Sequence, residues 1–271
     1  MSAHVHRDGA AGPSALEATE ILAADESSSS SGASGTNEST EISDLLIEML
    51  DPDSDVILFV GKERKMIWAY SNFLRAISPR FQEMLQEYPG PRYDDEKGLR
   101  PMCVKSLPDD DADSMTRLLR ALSGVDPGMD EPKPREIQKI GELADKYAMV
   151  SRLTYAGSYW LRDRNIEDPA DYWYLLIAAY NFRLREPFKR FSKALITRHG
   201  RMSSSLLKPA TETPGTVSGF RLALAIEERR HWHAVNMYRE ILGLCLDCFE
   251  NGESAFPGEN GSCDVCGANC A

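Results

Sequence analysis

SDVILFVGKERKMIWAYSNFLRAISPRFQEML, residues Ser54–Leu85, decides the fold because its periodicity changes once, at an identifiable point. Asp55–Val60 is a continuous apolar run of strand length, Gly61-Lys62 supplies a turn, and Lys65–Ala69 reads as the returning strand. From Tyr70 the apolar residues recur at helical spacing, with Phe73, Leu74 and Ile77 on one face and Phe81, Met84 and Leu85 on the next. Ser78-Pro79 separates the two helices. A serine oxygen can accept from a first-turn N–H, and proline at the first helical position lacks an N–H that would have no partner there. The stretch holds no obvious reactive group, so it points toward binding rather than chemistry.

Just upstream, Ile42, Leu45, Leu46 and Met49 fall at i, i+3, i+4 and i+7, one apolar stripe on a predicted short helix that Asp51-Pro52 ends. A helix of about ten residues is marginal alone and must dock somewhere. It can dock on its own domain or across a dimer, and the sequence leaves both open. Residues 1–39 are rich in Ser, Gly, Ala and Glu and bury too little apolar area to offset their ordering entropy, which predicts disorder.

Downstream, Tyr88–Arg100 reads as a polar loop and Pro101–Leu107 as a strand. Asp109–Ser123 reads as a helix with acidic residues massed at its N-terminus, where the dipole favours them, and with Met115, Leu118, Leu119 and Leu122 as its apolar face. Arg135–Val150 and Ser151–Arg162 read as two further helices. Asp168-Pro169 marks a boundary, and residues 168–244 read as a helical extension: Ala170–Leu184, Pro187–His199, a Ser/Thr/Pro linker near 202–219, and a long helical pattern over Phe220–Phe249.

The 271 residues suffice for two modest domains or one with appendages. No run of 18 apolar residues is present, so no transmembrane helix and no membrane partner is predicted. The N-terminal stretch has no basic region followed by an apolar one, so the expected location is intracellular, in the cytoplasm or nucleus. The net charge of −11 is concentrated at one end: the first fifty residues hold nine acidic residues against Arg7 alone, leaving −3 for the rest. That balance is no footprint for nucleic acid.

Two sets of residues together carry a family resemblance. Ser54-Asp55-Val56 leading a strand, Phe73-Leu74, Ser78-Pro79-Arg80-Phe81 and Met84-Leu85 resemble the opening of a BTB/POZ domain. Leu143-Ala144-Asp145-Lys146-Tyr147 followed by Leu153 is similar to that family's C-terminal helical hairpin, at the right separation and in the right order. The resemblance covers roughly residues 40–165, and the helices beyond Asp168 are similar in style to the segment after the BTB domain in filamentous-fungal proteins. It implies an α+β fold, a small sheet clad in helices, followed by an all-α extension and a Cys-rich tail. It also implies protein–protein association without catalysis, as a homodimer or with another protein, with the stripe Ile42, Leu45, Leu46 and Met49 as the dimer helix. Three places depart from the family pattern. Tyr70-Ser71 stand where many members place His-Lys, and Leu122-Ser123-Gly124 stand for a frequent Tyr-Thr-Gly. Pro89-Gly90-Pro91 replaces the hydrophobic-x-Glu triplet of members that recruit a cullin-type ubiquitin ligase scaffold, so a cullin partner is not expected. Substrate adaptor and nuclear regulator contacting nucleic acid are the alternative readings.

No phosphate-binding Gly-rich loop, nucleophile elbow or H-E-x-x-H is present. The one metal-like constellation lies in residues 245–271. Cys245, Cys248, Cys263 and Cys266 give C-x2-C-x14-C-x2-C, with Cys270 spare, and each pair can grip one ion from two sides. A structural zinc site is one reading; a reduced tail with incidental cysteines, or a redox role, are the others. Four thiolates would leave no open position for catalysis. No Lys or Arg follows Arg239, so such a knuckle is poorly suited to nucleic acid. His231 and His233 point to different faces at helical pitch and make no metal pair. Phe188, Phe191 and Leu195, interleaved with Lys189, Arg190, Lys193, Arg198 and Arg201, read as an apolar stripe under a solvated face. Trp160, Tyr172, Trp173 and Tyr174 read as packing residues.

Overall fold

The computed structural model describes residues 47–90, 103–124, 132–162, 166, 168–198, 206–213, 216–235 and 243–251. The hairpin stands as expected: β2 (Val56–Val60) runs antiparallel to β3 (Lys65–Ala69), with Val56 opposite Ala69 and Val60 opposite Lys65. Gly61 makes the turn at φ +76°, a left-handed conformation that costs glycine little. Two parallel neighbours widen the sheet. β1 (Ile47–Met49) pairs with β3 and β4 (Cys103–Leu107) pairs with β2, in the order β1-β3-β2-β4.

β1 overturns one expectation. Met49 lies in a strand and not on a helix, so the predicted stripe through Ile42, Leu45, Leu46 and Met49 is broken. The reason is pairing. Ile47–Met49 match Met66–Trp68 residue for residue, and period-two alternation turns Glu48 to the face opposite Ile47 and Met49. There Glu48 accepts from Arg120 Nε at 2.8 Å. Ile42, Leu45 and Leu46 lie outside the described residues, as do residues 1–39.

Helices come next in the chain. α1 (Ser71–Ile77) and α2 (Pro79–Met84) meet at Ser78, whose Oγ accepts from Phe81 N at 3.1 Å and donates to the Tyr147 carbonyl at 2.6 Å. α3 (Ala112–Ser123) starts at Asp111, whose side chain accepts from Ser114 N, and stops at Gly124 in the left-handed region. Met115, Leu118 and Leu119 are buried on the expected face. α4 (Pro134–Lys146) packs on α3, and a 3-10 turn (Val150–Arg152) precedes the short α5 (Thr154–Trp160) where one longer helix was expected.

The extension consists of α6 (Pro169–Asn181), α7 (Arg185–Arg198), α8 (Leu207–Glu212), α9 (Thr216–Val235) and α10 (Leu246–Glu250). Two expectations change here. The region near 202–219 is not an uninterrupted linker, because α8 lies within it and packs on α9. Trp173 Nε1 donates to Thr213 Oγ1 at 3.1 Å, and Ala210 is fully buried, so tertiary contacts order a stretch whose composition reads as loop. Nor is Phe220–Phe249 one helix: Cys245 is extended before α10.

One face of the sheet (Val56, Leu58, Val60, Ile67 and Ala69) joins the helices in a core that continues without a break through Trp160, Trp173 and Phe182 to Phe249. Two glycines let the extension come close. A Cβ on Gly141 of α4 would stand 3.2 Å from Asn181 Cβ, and one on Gly157 of α5 would stand 3.1 Å from the Phe182 ring.

Candidate interaction surface

The other face of the sheet is built by the same alternation. Pairing aligns two rows across the four strands: Ile47, Met66, Phe59 and Ser106 in one, Met49, Trp68, Ile57 and Val104 in the next. Ile57, Phe59, Met66 and Trp68 form an apolar cluster of their own, separate from the main core. At the two edge strands the same rows end in exposed residues: Ile47 is 39%, Met49 52% and Val104 47% exposed. Among the described residues β1 pairs on one side only, so its outer edge also offers backbone donors and acceptors.

Beneath this surface two buried carboxylates fix the frame. Asp55 is fully buried at the head of β2. It accepts from Ser71 N at 2.6 Å and Ser71 Oγ at 2.7 Å, capping α1 from sixteen residues away. Tyr88 also hydrogen-bonds Asp55; burial and then that carboxylate push its hydroxyl up to about 12. Arg75, from α1, donates to the carbonyls of Leu85 and Tyr88.

The second carboxylate, Asp110, accepts from Lys146 Nζ at 2.5 Å and from the Tyr147 hydroxyl. Burial, then the hydrogen bond to Asp110, pushes the Tyr147 hydroxyl above the ordinary phenol range. Tyr147 also stacks on Phe81 with ring centres 4.7 Å apart. A cavity of about 670 Å³ opens beside this group, lined also by Arg80, Glu83 and Asp109. Asp110 has both oxygens committed, and Tyr147 holds its proton through the neutral range. The arrangement ties the end of α4 to the turn before α3 and presents no activated nucleophile. Asp111 belongs to the same frame: burial opposes its charge, but Lys139 and Ser114 outweigh that and hold it below the usual carboxylate range.

The remaining predicted sites are placed only in part. Cys245 stands at the N-cap position of α10 and Cys248 lies in its first turn, half-buried and buried respectively, one helical turn apart. No disulfide joins Cys103, Cys245 or Cys248. Cys263, Cys266 and Cys270 lie outside the described residues, and among the described residues no three metal-ligating side chains gather. His231 is exposed and His233 half-buried on α9. Phe188, Phe191 and Leu195 are buried, while Arg190 donates to the Leu161 carbonyl, so this stripe of α7 packs inward. Trp160, Tyr172 and Trp173 are buried packing residues. Leu85-Gln86-Glu87 also spells a hydrophobic-x-Glu triplet, just before Pro89, but its Leu85 is wholly buried and cannot be offered to a scaffold protein. No helix among the described residues is long and apolar enough to cross a membrane.

No family model, no curated protein and no solved structure matches the chain.

Sequence reasoning missed Asp55 and Asp110 as buried organisers. Asp55 had a signal: it heads a strand that is apolar on both faces, and a carboxylate buried there must be partnered. Asp110 had none, because its partners lie 36 and 37 residues away.

Proposed function

We propose that the chain is a non-catalytic protein–protein association module acting through a BTB/POZ-like domain at residues 40–165, with a second copy of itself as the first partner and other proteins as further ones. The observation that carries this reading is the pair Ile47 and Met49, two large apolar side chains exposed on a strand at an open sheet edge. Fully burying one such side chain contributes about 1.5–3 kcal/mol, and the strand edge adds backbone hydrogen bonds that a partner strand can use. The buried titratable groups Asp55, Asp110 and Tyr147 are consumed by structural bonds, which is what an interaction fold without chemistry would show.

The test is light scattering coupled to size exclusion on the full chain at tens of micromolar, an affinity scale of about −6 to −7 kcal/mol. The expected mass is that of a dimer for the native chain and of a monomer for Ile47→Asp/Met49→Asp. A monomer for the native chain at that concentration overturns self-association. The Cys-rich tail is proposed to hold a structural zinc ion, with Cys245 and Cys248 as one jaw. Their placement one turn apart at the start of α10 fits that role, and the ion would clamp the tail to the extension.

A further inference from the structure

The outer face of the sheet is buried over β2 and β3. Ile57, Phe59, Met66 and Trp68 are only 3–7% exposed there. Arg64 sits over the Phe59 ring at 4.9 Å, but among the described residues no other buried apolar side chain joins the four, since the core-forming helices belong to the opposite face. The burial is confined to β2 and β3 and fades along the same rows at β1 and β4. The covered strip is two strands wide, about 10 Å with side chains. One helix has that width. A second sign lies in the strip: Trp68 Nε1 is buried and has no hydrogen-bond partner among the described residues. A buried indole N–H ordinarily meets an acceptor, so the cover must bring one.

The chain itself holds a matching segment. Residues 1–46 lie outside the described residues, and they arrive at Ile47, at the edge of this face and in row with Met66 and Phe59. The last seven, Thr40–Leu46 (TEISDLL), carry Ile42, Leu45 and Leu46 at i, i+3 and i+4, with Glu41, Ser43 and Asp44 among them as acceptors. As a helix, seven residues span about 10 Å, the width of the strip. Two other stretches fit worse. Residues 91–102 (PRYDDEKGLRPM) carry six charged side chains in twelve, and residues 252–271 offer only Phe256 and Val265 as large apolar groups.

We propose that residues 40–46 fold back over the outer face of the sheet, seating Ile42, Leu45 and Leu46 on Ile57, Met66 and Trp68, with a polar group of the same segment accepting from Trp68 Nε1. The cover is intrachain. It leaves the β1 edge, Ile47, Met49 and Val104 open, so it stands whether or not the chain associates. It also replaces the broken stripe: Ile42, Leu45 and Leu46 face the chain's own sheet, and Met49 faces outward.

Hydrogen exchange of the indole N–H groups in the nitrogen-15-labelled full chain tests this, with the Trp68 signal identified through Trp68→Phe. Trp68 should exchange slowly in the native chain and equally slowly after deletion of residues 1–39. In Ile42→Ser/Leu45→Ser/Leu46→Ser it should exchange at least about tenfold faster, a change of about 1.4 kcal/mol in local opening, while Trp160 and Trp173 stay protected. Unchanged Trp68 exchange in the triple variant overturns the proposal. So does loss of protection on deleting 1–39, which would assign the cover to another segment. Protection that falls on dilution and ignores the triple variant would assign it to a second copy and overturn it as well. Should the triple variant also lose the Trp160 and Trp173 signals, Leu46→Ser alone, read on Trp68 with those two signals intact, decides in its place.

Discussion

Replacing Asp55 with alanine should be one of the most damaging single changes to the sheet–helix frame. The carboxylate is wholly buried and accepts from both the backbone N–H and the hydroxyl of Ser71, itself wholly buried. Alanine leaves two buried donors without an acceptor, at about 1–3 kcal/mol each. The Tyr88 hydroxyl loses its partner too, but Tyr88 is only half-buried and can turn to water. Relief from holding a buried charge offsets part of the loss. The expected net cost is about 3 kcal/mol, or about 10 °C in the melting midpoint. Asparagine keeps one acceptor oxygen and should cost about 1 kcal/mol. Urea titration of the full chain, followed by circular dichroism, measures both. A double-mutant cycle adds a sharper criterion. Ser71→Ala removes the hydroxyl bond in the native chain but removes an orphaned buried hydroxyl in the Asp55→Ala chain, so the double variant should be at least as stable as Asp55→Ala alone. If Asp55→Ala costs less than about 1 kcal/mol, or if the two changes simply add to within about 0.5 kcal/mol, the claim that Asp55 caps α1 across the hairpin is wrong.

Other expectations rest on equally local features. Gly157→Val should cost about 1–3 kcal/mol, because even a Cβ there stands 3.1 Å from the Phe182 ring; an unchanged urea midpoint would show that α6 does not pack as tightly as described. Stability should fall on raising the pH past about 10: the neutral phenol of Tyr147 is favoured by folding, so its contribution is intact below the unfolded value of about 10 and lost above it. Tyr147→Phe should make that alkaline limb shallower in urea midpoints measured from pH 8 to 11.5, with the raised Tyr88 hydroxyl sustaining the remainder. The purified full chain should carry about one zinc ion by elemental analysis, and Cys245→Ser/Cys263→Ser should remove it; native protein purified without chelators and free of zinc would refute the clamp.

Much of the sheet side was legible because its signals are local. The hairpin Val56–Ala69 is spelled by two apolar runs around a glycine turn, and Ser78-Pro79 both stops one helix and caps the next. β1 was misread because three residues carry too little pattern to reveal strand pairing; Ile47–Met49 are held by register with Met66–Trp68, which no local period encodes. α8 was hidden for a related reason. Its composition is that of a linker, and what orders it is Trp173 reaching Thr213 from forty residues away. The open sheet edge was half legible: Met49 stands out in the sequence as an apolar side chain in need of a partner, and it lies exposed, but in a strand and not on a helix.

Where the apolar residues remain unburied also limits what the chain can be asked to do. Val217, Phe220 and Leu224 are exposed on α9 at i, i+3 and i+7, while Leu222, Ala223 and Ile226 of the same helix are buried. A helix apolar on both sides belongs between two layers, and here only the inner layer is among the described residues. The β1 edge and this stripe are therefore two places where a partner would gain free energy from the same source, removal of apolar area from water. They differ in specificity. An open strand edge accepts any extended backbone, so its selectivity must come from Ile47, Met49 and the residues they meet. The α9 stripe offers no backbone groups and must select by shape alone, next to Arg221, which donates to the Phe249 carbonyl and stacks on its ring. Substituting Leu224 with Asp should leave the proposed sheet-edge dimer intact. A monomeric Leu224→Asp chain alongside a dimeric Ile47→Asp/Met49→Asp chain would move the association surface from the sheet to the extension.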